Sequence, residues 1–319
     1  MNILSLNIYD LGGLSYNLCQ AINKHTDHKA RSIVIHRTFT RKPVMTQRKG
    51  SEDFLKQLRR WVKNADILHF NEHWKSVTKY QIDPKLCSNK KIIYHAHGMS
   101  FRRRSKKILK LYRGVFPQMK IITSTPDLIE TAGKGSGATW FPSVVPILEY
   151  REKYKRQRNN PPIVYYSPSR SSGKARKRVI RDTSKELWAK GLKFKLQVTE
   201  NTLHTKNMSM KAKADIYFDE VTRFGFYGVN AIEAGVLEKA VIYNLNPFTR
   251  KYMNNLSERE GINCPFVAVT ERDPLKSVLR KLVVNEKYRV ERGKAGLSYV
   301  RKMHGEQICV KRFMELVES

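Results

Sequence analysis

Cysteine is scarce in this sequence, and so is acid. Cys19, Cys87, Cys264 and Cys309 lie far apart among 319 residues and form no C-x-x-C pair. That spacing excludes a zinc-ribbon framework and a disulfide-stapled scaffold, and it suits reduced structural thiols in a cytoplasmic protein. Long apolar runs are missing too. No stretch approaches the roughly 18 residues that a membrane-crossing helix needs. The opening MNILSLNIYDLGG has no basic leader and is expected to form a first strand, not a signal peptide. Against 28 Asp and Glu stand 61 Lys and Arg, a formal charge of +33. The excess is not a tail: 26 basic and 9 acidic side chains precede residue 146, and 35 and 19 follow it. A folded chain carries self-repulsion for such a balance, so a polyanionic partner is expected, either nucleic acid or an anionic membrane surface. With 40% hydrophobic residues the chain can still bury sizeable cores.

Apolar stretches alternate with helical patterns. NILSLNI (2–8), ARSIVIH (30–36), ADILHF (65–70), KKIIYHAHG (90–98), KIITST (120–125), IVYYSP (163–168), KFKLQVT (193–199) and AVIY (240–243) read as strands. YNLCQAINKH, residues 51–64, FRRRSKKILKLYRGVF (101–116) and RVIRDTSKELWAKG (178–191) read as helices between them. Residues 51–64 turn Phe54, Leu55, Leu58 and Trp61 to one face, and Thr125 suits the N-cap of a helix opening at Pro126. Strand–helix alternation predicts α/β architecture with parallel, doubly wound sheets. LEYREKYKRQRNNP (148–161) is charged and lacks an apolar stripe, so it reads as a linker. The expected organisation is a Rossmann-like domain over 1–147, the linker 148–161, a second Rossmann-like domain over 162–300, and a C-terminal helix over 301–319 packing back on the first domain.

In open α/β sheets, ligands sit beyond the carboxyl ends of the strands. Gly12 and Gly13 follow the first strand, where a backbone can approach a ligand and a helix start favours anions, although a plain tight turn fits as well. They do not form G-x-G-x-x-G, which disfavours a nicotinamide dinucleotide. His95 and His97 end another strand and would share a face; a metal would need a third ligand, with His69 and His73 as candidates. Ser167 to Lys174 combines small hydroxyls, a glycine, Arg170 and Lys174, which suits a diphosphate but lacks the P-loop spacing. Glu233 stands five residues past Gly228, where a carboxylate at a helix start can accept both hydroxyls of a ribose.

Taken together, HAHG (95–98), STPDL (124–128), WFPSVV (140–145), YSPSRSSGKARK (166–177) and GFYGVNAIEAGVLEKAVI (225–242) resemble the retaining GT-B glycosyltransferases that use nucleotide sugars. The last segment is similar to their G-x-G-x-x-x-x-E-A-x-x-x-G-x-P-V-I pattern. The resemblance implies two Rossmann-like domains with parallel sheets facing a cleft. It also implies a hexosyl transfer from a nucleotide-sugar co-substrate, with UDP-glucose as the commonest donor. Glu233 would hold the ribose, and Arg170, Lys174 or Lys177 would neutralise the diphosphate. His97 would sit by the transferred sugar, and Gly12, Gly13, Gly225, Tyr227 and Gly228 would shape the donor site. No tightly bound cofactor or metal, and no obligate protein partner, is implied. Three positions depart from the pattern. Gly225 stands where the family often has a glutamate, with Asp219 or Glu220 as replacements. Glu238 and Ala240 stand at the second glycine and the proline, and GKARK replaces Lys-Gly-Thr.

The acceptor must be argued from charge. DNA carrying hydroxymethylated pyrimidines, as for phage DNA-modifying enzymes in a host cytoplasm, would need basic residues from both halves and a flipped-out base. Arg102, Arg103, Arg104, Lys106 and Lys107 would then contact phosphates, as would the 151–158 and 174–178 clusters. The second reading is a membrane-surface enzyme acting on a lipid-linked sugar or cell-surface glycan, with Phe101, Ile108, Leu109, Leu111 and Phe116 laid on lipid. The third is an inactive fold that binds nucleic acid.

Overall fold

The computed structural model describes residues 1–36, 45–46, 52–71, 82–168, 174–219, 225–272 and 274–319. Two compact units emerge: Met1–Val144 together with Glu306–Ser319, and Val145–Gly305.

In chain order the first unit holds β1 (Asn2–Tyr9), α1 (Leu14–His25), β2 (Lys29–His36), β3 (Met45–Thr46), α2 (Glu52–Asn64), β4 (Ile67–Asn71), β5 (Lys91–Ala96), α3 (Gly98–Val115), β6 (Lys120–Thr123), α4 (Asp127–Ala132) and β7 (Thr139–Trp140). Its sheet runs β3-β2-β1-β4-β5-β6-β7, and every pair is parallel. One face is wholly apolar: Leu4, Leu6, Leu68, Phe70 and Tyr94 pack against Phe54 and Leu58 of α2 and Phe101, Ile108 and Tyr112 of α3. The other face changes character along the strands. Ile3, Ile67, Ile93 and Ile122 lie toward the amino ends with α1, while Ser5, Asn7, His69, Asn71 and His95 lie buried toward the carboxyl ends.

The second unit holds α5 (Ile147–Lys153), β8 (Ile163–Tyr166), α6 (Lys174–Ala189), β9 (Lys195–Val198), α7 (His204–Lys213), β10 (Ile216–Phe218), α8 (Val229–Val236), β11 (Ala240–Asn244), α9 (Pro247–Glu260), β12 (Val267–Val269), α10 (Leu275–Val284) and α11 (Glu286–His304). Its sheet runs β12-β11-β10-β8-β9, again all parallel. Val164, Ile216, Phe218 and Ile242 bury one face under Ile180, Leu187, Leu279 and Leu282. A last helix, α12 (Glu306–Glu318), puts Cys309, Val310, Phe313 and Val317 into the first unit's core.

Three expectations need correction. Residues 148–161 are not all linker, because α5 covers Ile147–Lys153 and Ile147, Tyr150 and Tyr154 are buried at helical spacing. Ile147 lies just outside the charged window, and a narrow stripe was hidden by the lysines and arginines around it. The C-terminal helical stretch is two helices, because Gly305 at φ −64 and ψ 148 interrupts it. Thr125 does not cap α4; Pro126 stands at that position, and the Thr125 hydroxyl accepts from Arg102 Nη2 at 3.3 Å.

The fate of α3 matters for function. Phe101, Ile108, Leu109 and Phe116 are 0%, 1%, 6% and 5% exposed, and only Leu111, at 41%, faces outward. Burying each large apolar side chain stabilises by about 1.5–3 kcal/mol. These four belong to the core and are not free to lie on lipid. Among the described residues no helix is long and apolar enough to cross a membrane.

Candidate functional site

At the carboxyl ends of the second sheet, β10 runs out into Asp219, and α8 starts after Gly228. Asp219 Oδ2 accepts the Gly228 N–H at 2.7 Å, which fixes the start of α8. One turn on, Glu233 is 2% exposed. Its Oε1 meets His204 Nε2 at 2.6 Å, and its Oε2 pairs with Lys211, which is fully buried. Lys211 Nζ also donates to Asn230 Oδ1 at 2.6 Å. Burial alone would raise the Glu233 carboxyl, but Lys211 and His204 outweigh it and hold the group at about 2. Burial likewise pulls the Lys211 ammonium below its ordinary range, and Glu233 pulls the other way. A carboxylate offers about four lone-pair directions. Two are used here, by His204 and Lys211.

His204 and Lys211 are absent from the sequence expectations. They stand seven residues apart on α7, two turns along one face. That spacing was the available signal, but nothing in it points to a glutamate 22 residues downstream of Lys211.

Gly225, where the resembled pattern has glutamate, is held at φ +62, and a side chain there would run into Asn246. Asn246 cannot easily yield: it caps α9 by accepting the Thr249 N–H at 2.8 Å. Thr249 in turn donates its hydroxyl to the Gly225 carbonyl. Gly225→Ala is therefore expected to destabilise the second unit by roughly 2–3 kcal/mol, read as a lowered thermal midpoint. A change under 0.5 kcal/mol would mean that Asn246 moves aside freely. A glutamate cannot stand at 225 in this backbone.

At the pattern's second glycine, Glu238 adopts φ +54. Left-handed backbone costs an ordinary residue about 1–2 kcal/mol. Ion pairs offset it, to Arg151 at 2.9 Å and to Arg156.

Tyr227 is corrected from donor contact to core. It is 2% exposed, and its hydroxyl bonds Tyr299 and, at 3.0 Å, His304 Nε2. Lys177 pairs with Glu200. Arg170, Glu220, His73 and the side chain of Lys174 lie outside the described residues.

The first unit's carboxyl ends carry a buried polar chain. Ser15 donates to Ser5, Ser5 meets His69 Nδ1 at 3.0 Å, and His69 Nε2 meets His95 Nδ1 at 3.2 Å. His97 lies beside His95, ring centroids 4.0 Å apart, and its Nε2 bonds the Asn71 side-chain oxygen Oδ1. Burial drives all three imidazoles neutral: His69 and His97 fall to about 3, and His95 falls well below its usual range. Among the described residues no group of His, Cys, Asp and Glu is placed to hold a metal ion. Gly12 and Gly13 do take left-handed backbone, at φ 67 and 70. The start of α1, however, is already served by Asp10, which accepts from Ser15 N at 2.9 Å and Tyr16 N at 3.1 Å. That carboxylate occupies the place an anion would take.

In the basic cluster, Arg102 differs from its neighbours. Its Nε donates to Asp127 Oδ2 at 2.7 Å, so it braces α3 against α4. Arg103, Arg104, Lys106 and Lys107 are exposed.

No protein-family model and no curated sequence matches the chain. Solved structures do. HepE from Anabaena, in complex with UDP and glucose, is similar at TM-score 0.66 and 12% identity, covering 100% of this chain and 99% of that one. Sucrose-phosphate synthase from Thermosynechococcus elongatus gives 0.64 and 11% over 100% and 98%. The catalytic domain of starch synthase IV from Arabidopsis thaliana, bound to ADP and acarbose, gives 0.63 and 10% over 100% and 99%. With two all-parallel Rossmann-like sheets of this order, the chain has the GT-B fold.

Proposed function

We propose that this chain is a glycosyltransferase that takes a sugar from a nucleotide-sugar donor, UDP-linked as in the HepE complexes, and transfers it with retention. The observation that carries this reading is Glu233: ionised, buried, and held by Lys211 and His204 just past the start of α8. The carboxylate would accept the ribose hydroxyls. Arg170, Lys174 and Lys177 would neutralise the leaving diphosphate, with Lys177 exchanging Glu200 for it. A neutral, buried His97 cannot balance phosphate charge. Asp219, which fixes Gly228, is a positioning residue and not the missing motif carboxylate.

For the acceptor, the charge favours a polyanion, and DNA with hydroxymethylated bases is the reading we carry. The excess covers both halves of the sequence. The apolar face that would have served a membrane is in the core. Arg103, Arg104, Lys106 and Lys107 supply exposed cations for phosphates.

A radiolabelled transfer assay with UDP-glucose and duplex DNA, hydroxymethylated and unmodified side by side, tests both parts. Label on the hydroxymethylated duplex alone supports the whole reading. Label on neither, with UDP still bound, removes the DNA acceptor. Glu233→Gln keeps the shape and is expected to weaken UDP binding about tenfold to a hundredfold while leaving DNA affinity unchanged. Unchanged UDP affinity by calorimetry would remove Glu233 from the donor site.

A further inference from the structure

The second unit carries another cavity, beyond the C-terminal end of the helix α8 that holds Glu233. Asp215 and Lys239 immediately precede β10 and β11, so it lies at the amino ends of the sheet. Its volume is about 590 Å³. Six cations line it: Arg151, Lys155, Arg156, Arg158, Lys239 and Arg289. Asp215 and Glu238 are the acids on its wall, which leaves four positive groups in excess.

Both acids are already counted in that surplus, and each is held by other partners. Glu238 is taken by Arg151 and Arg156. Asp215 accepts from the N–H of Asn159 at 3.2 Å, the Asn159 amide at 2.9 Å and the N–H of Ile163 at 2.8 Å. Lys239 is 3% exposed, yet its ammonium meets only main-chain carbonyls, Gln157 at 3.1 Å and Ala212 at 2.8 Å. A buried ammonium has three hydrogens, and one is left over. Lys155 and Arg158 are exposed and make no ion pair among the described residues. The crowding is felt: burial, Arg156 and Arg158 depress Lys239 to about 8, against Asp215, and burial, Arg151 and Arg158 depress Arg156.

We propose that this cavity is a binding site for a small ligand carrying two or more adjacent phosphates, separate from the donor end of the same unit. A monophosphate brings at most two negative charges and would leave half of the surplus unmatched, whereas a di- or triphosphate matches it. The volume falls in the range of small-molecule pockets, about 300–1,000 Å³, which argues for a compact ligand over a duplex. Arginine's planar fork and the spare Lys239 hydrogen supply the donors such oxygens need. The inference does not depend on the donor reading at Glu233.

Calorimetry of the full chain with sodium tripolyphosphate, at fixed ionic strength and with saturating UDP present, tests it. Tripolyphosphate should bind with UDP in place. The double variant Lys155→Ala/Arg158→Ala should weaken that binding about tenfold or more with an unchanged melting temperature, since both side chains are exposed. Equal binding by variant and wild type would overturn the site, as would complete displacement by UDP. Duplex DNA that displaces tripolyphosphate, with the double variant losing DNA affinity to the same degree, would make this cavity a nucleic-acid contact and overturn the small-ligand assignment.

Discussion

Lys211→Met should cost the second unit roughly 3–5 kcal/mol, or about 6–20 °C in its thermal midpoint. Lys211 is fully buried and pairs with Glu233, itself 2% exposed. Removing the ammonium leaves a carboxylate in the interior with His204 as its remaining charge-capable partner. The asymmetry of buried pairs makes a sharper test. Lys211→Met/Glu233→Gln removes both charges and should recover most of the loss, because the uncompensated ion causes the damage. The same double variant should still bind UDP poorly, since the carboxylate is gone. Stability and ligand affinity would then separate, which a merely structural pair could not produce. A Lys211→Met variant as stable as wild type would show that Glu233 finds solvent or another partner, and the buried-anion argument would fall with it.

Strand ends were the most legible part of the chain. The apolar runs place their last residues to within about two positions, so His95, His97 and Asp219 could be set at or just past carboxyl ends, and Glu233 at a helix start, from the sequence. Gly225 shows what could not be read. As a letter in a motif it looks like a lost glutamate; as backbone it is a left-handed residue fitted against Asn246, which caps a helix 21 residues further on. Tyr227 failed for a similar reason. A glycine-flanked aromatic suggests a ligand contact, but the partners of its hydroxyl are Tyr299 and His304, more than 70 residues away. Lys211 and His204 were invisible because sequence spacing shows residues that share a helix face, not residues that meet across two helices. The basic cluster failed one residue at a time: Arg102 and Arg103 are adjacent letters, yet one is tied to Asp127 and the other exposed. The 148–161 stretch hid a helix because its two buried residues, Tyr150 and Tyr154, were outnumbered by charge.

Acid should destabilise the first unit steeply as pH falls from 7.5 to 5. In the folded chain His69 and His97 are held neutral down to about pH 3, and His95 is also held far below its usual value. In the unfolded chain each would take a proton near 6.5, the ordinary value. The folded-state values are depressed, so the unfolded state binds more protons below 6.5, and stability falls as pH falls through that window. Each ring costs about 2 kcal/mol at pH 5, and three together cost about 6 kcal/mol, comparable with a whole domain's stability. The Glu233 carboxyl, held at about 2 against an ordinary 4.5, makes its own loss only below that higher value, so the two effects occupy different windows. Urea midpoints at pH 7.5, 6 and 5 should therefore drop steeply, and His69→Gln should flatten the slope by about one proton's worth. The histidines are buried by the fold itself: the strand face that begins with Ile3, Ile67 and Ile93 continues into Ser5, His69 and His95. A midpoint that holds steady from pH 7.5 to 5 would mean that the rings reach water, and the polar end of that face would have to be an open pocket, not a sealed one.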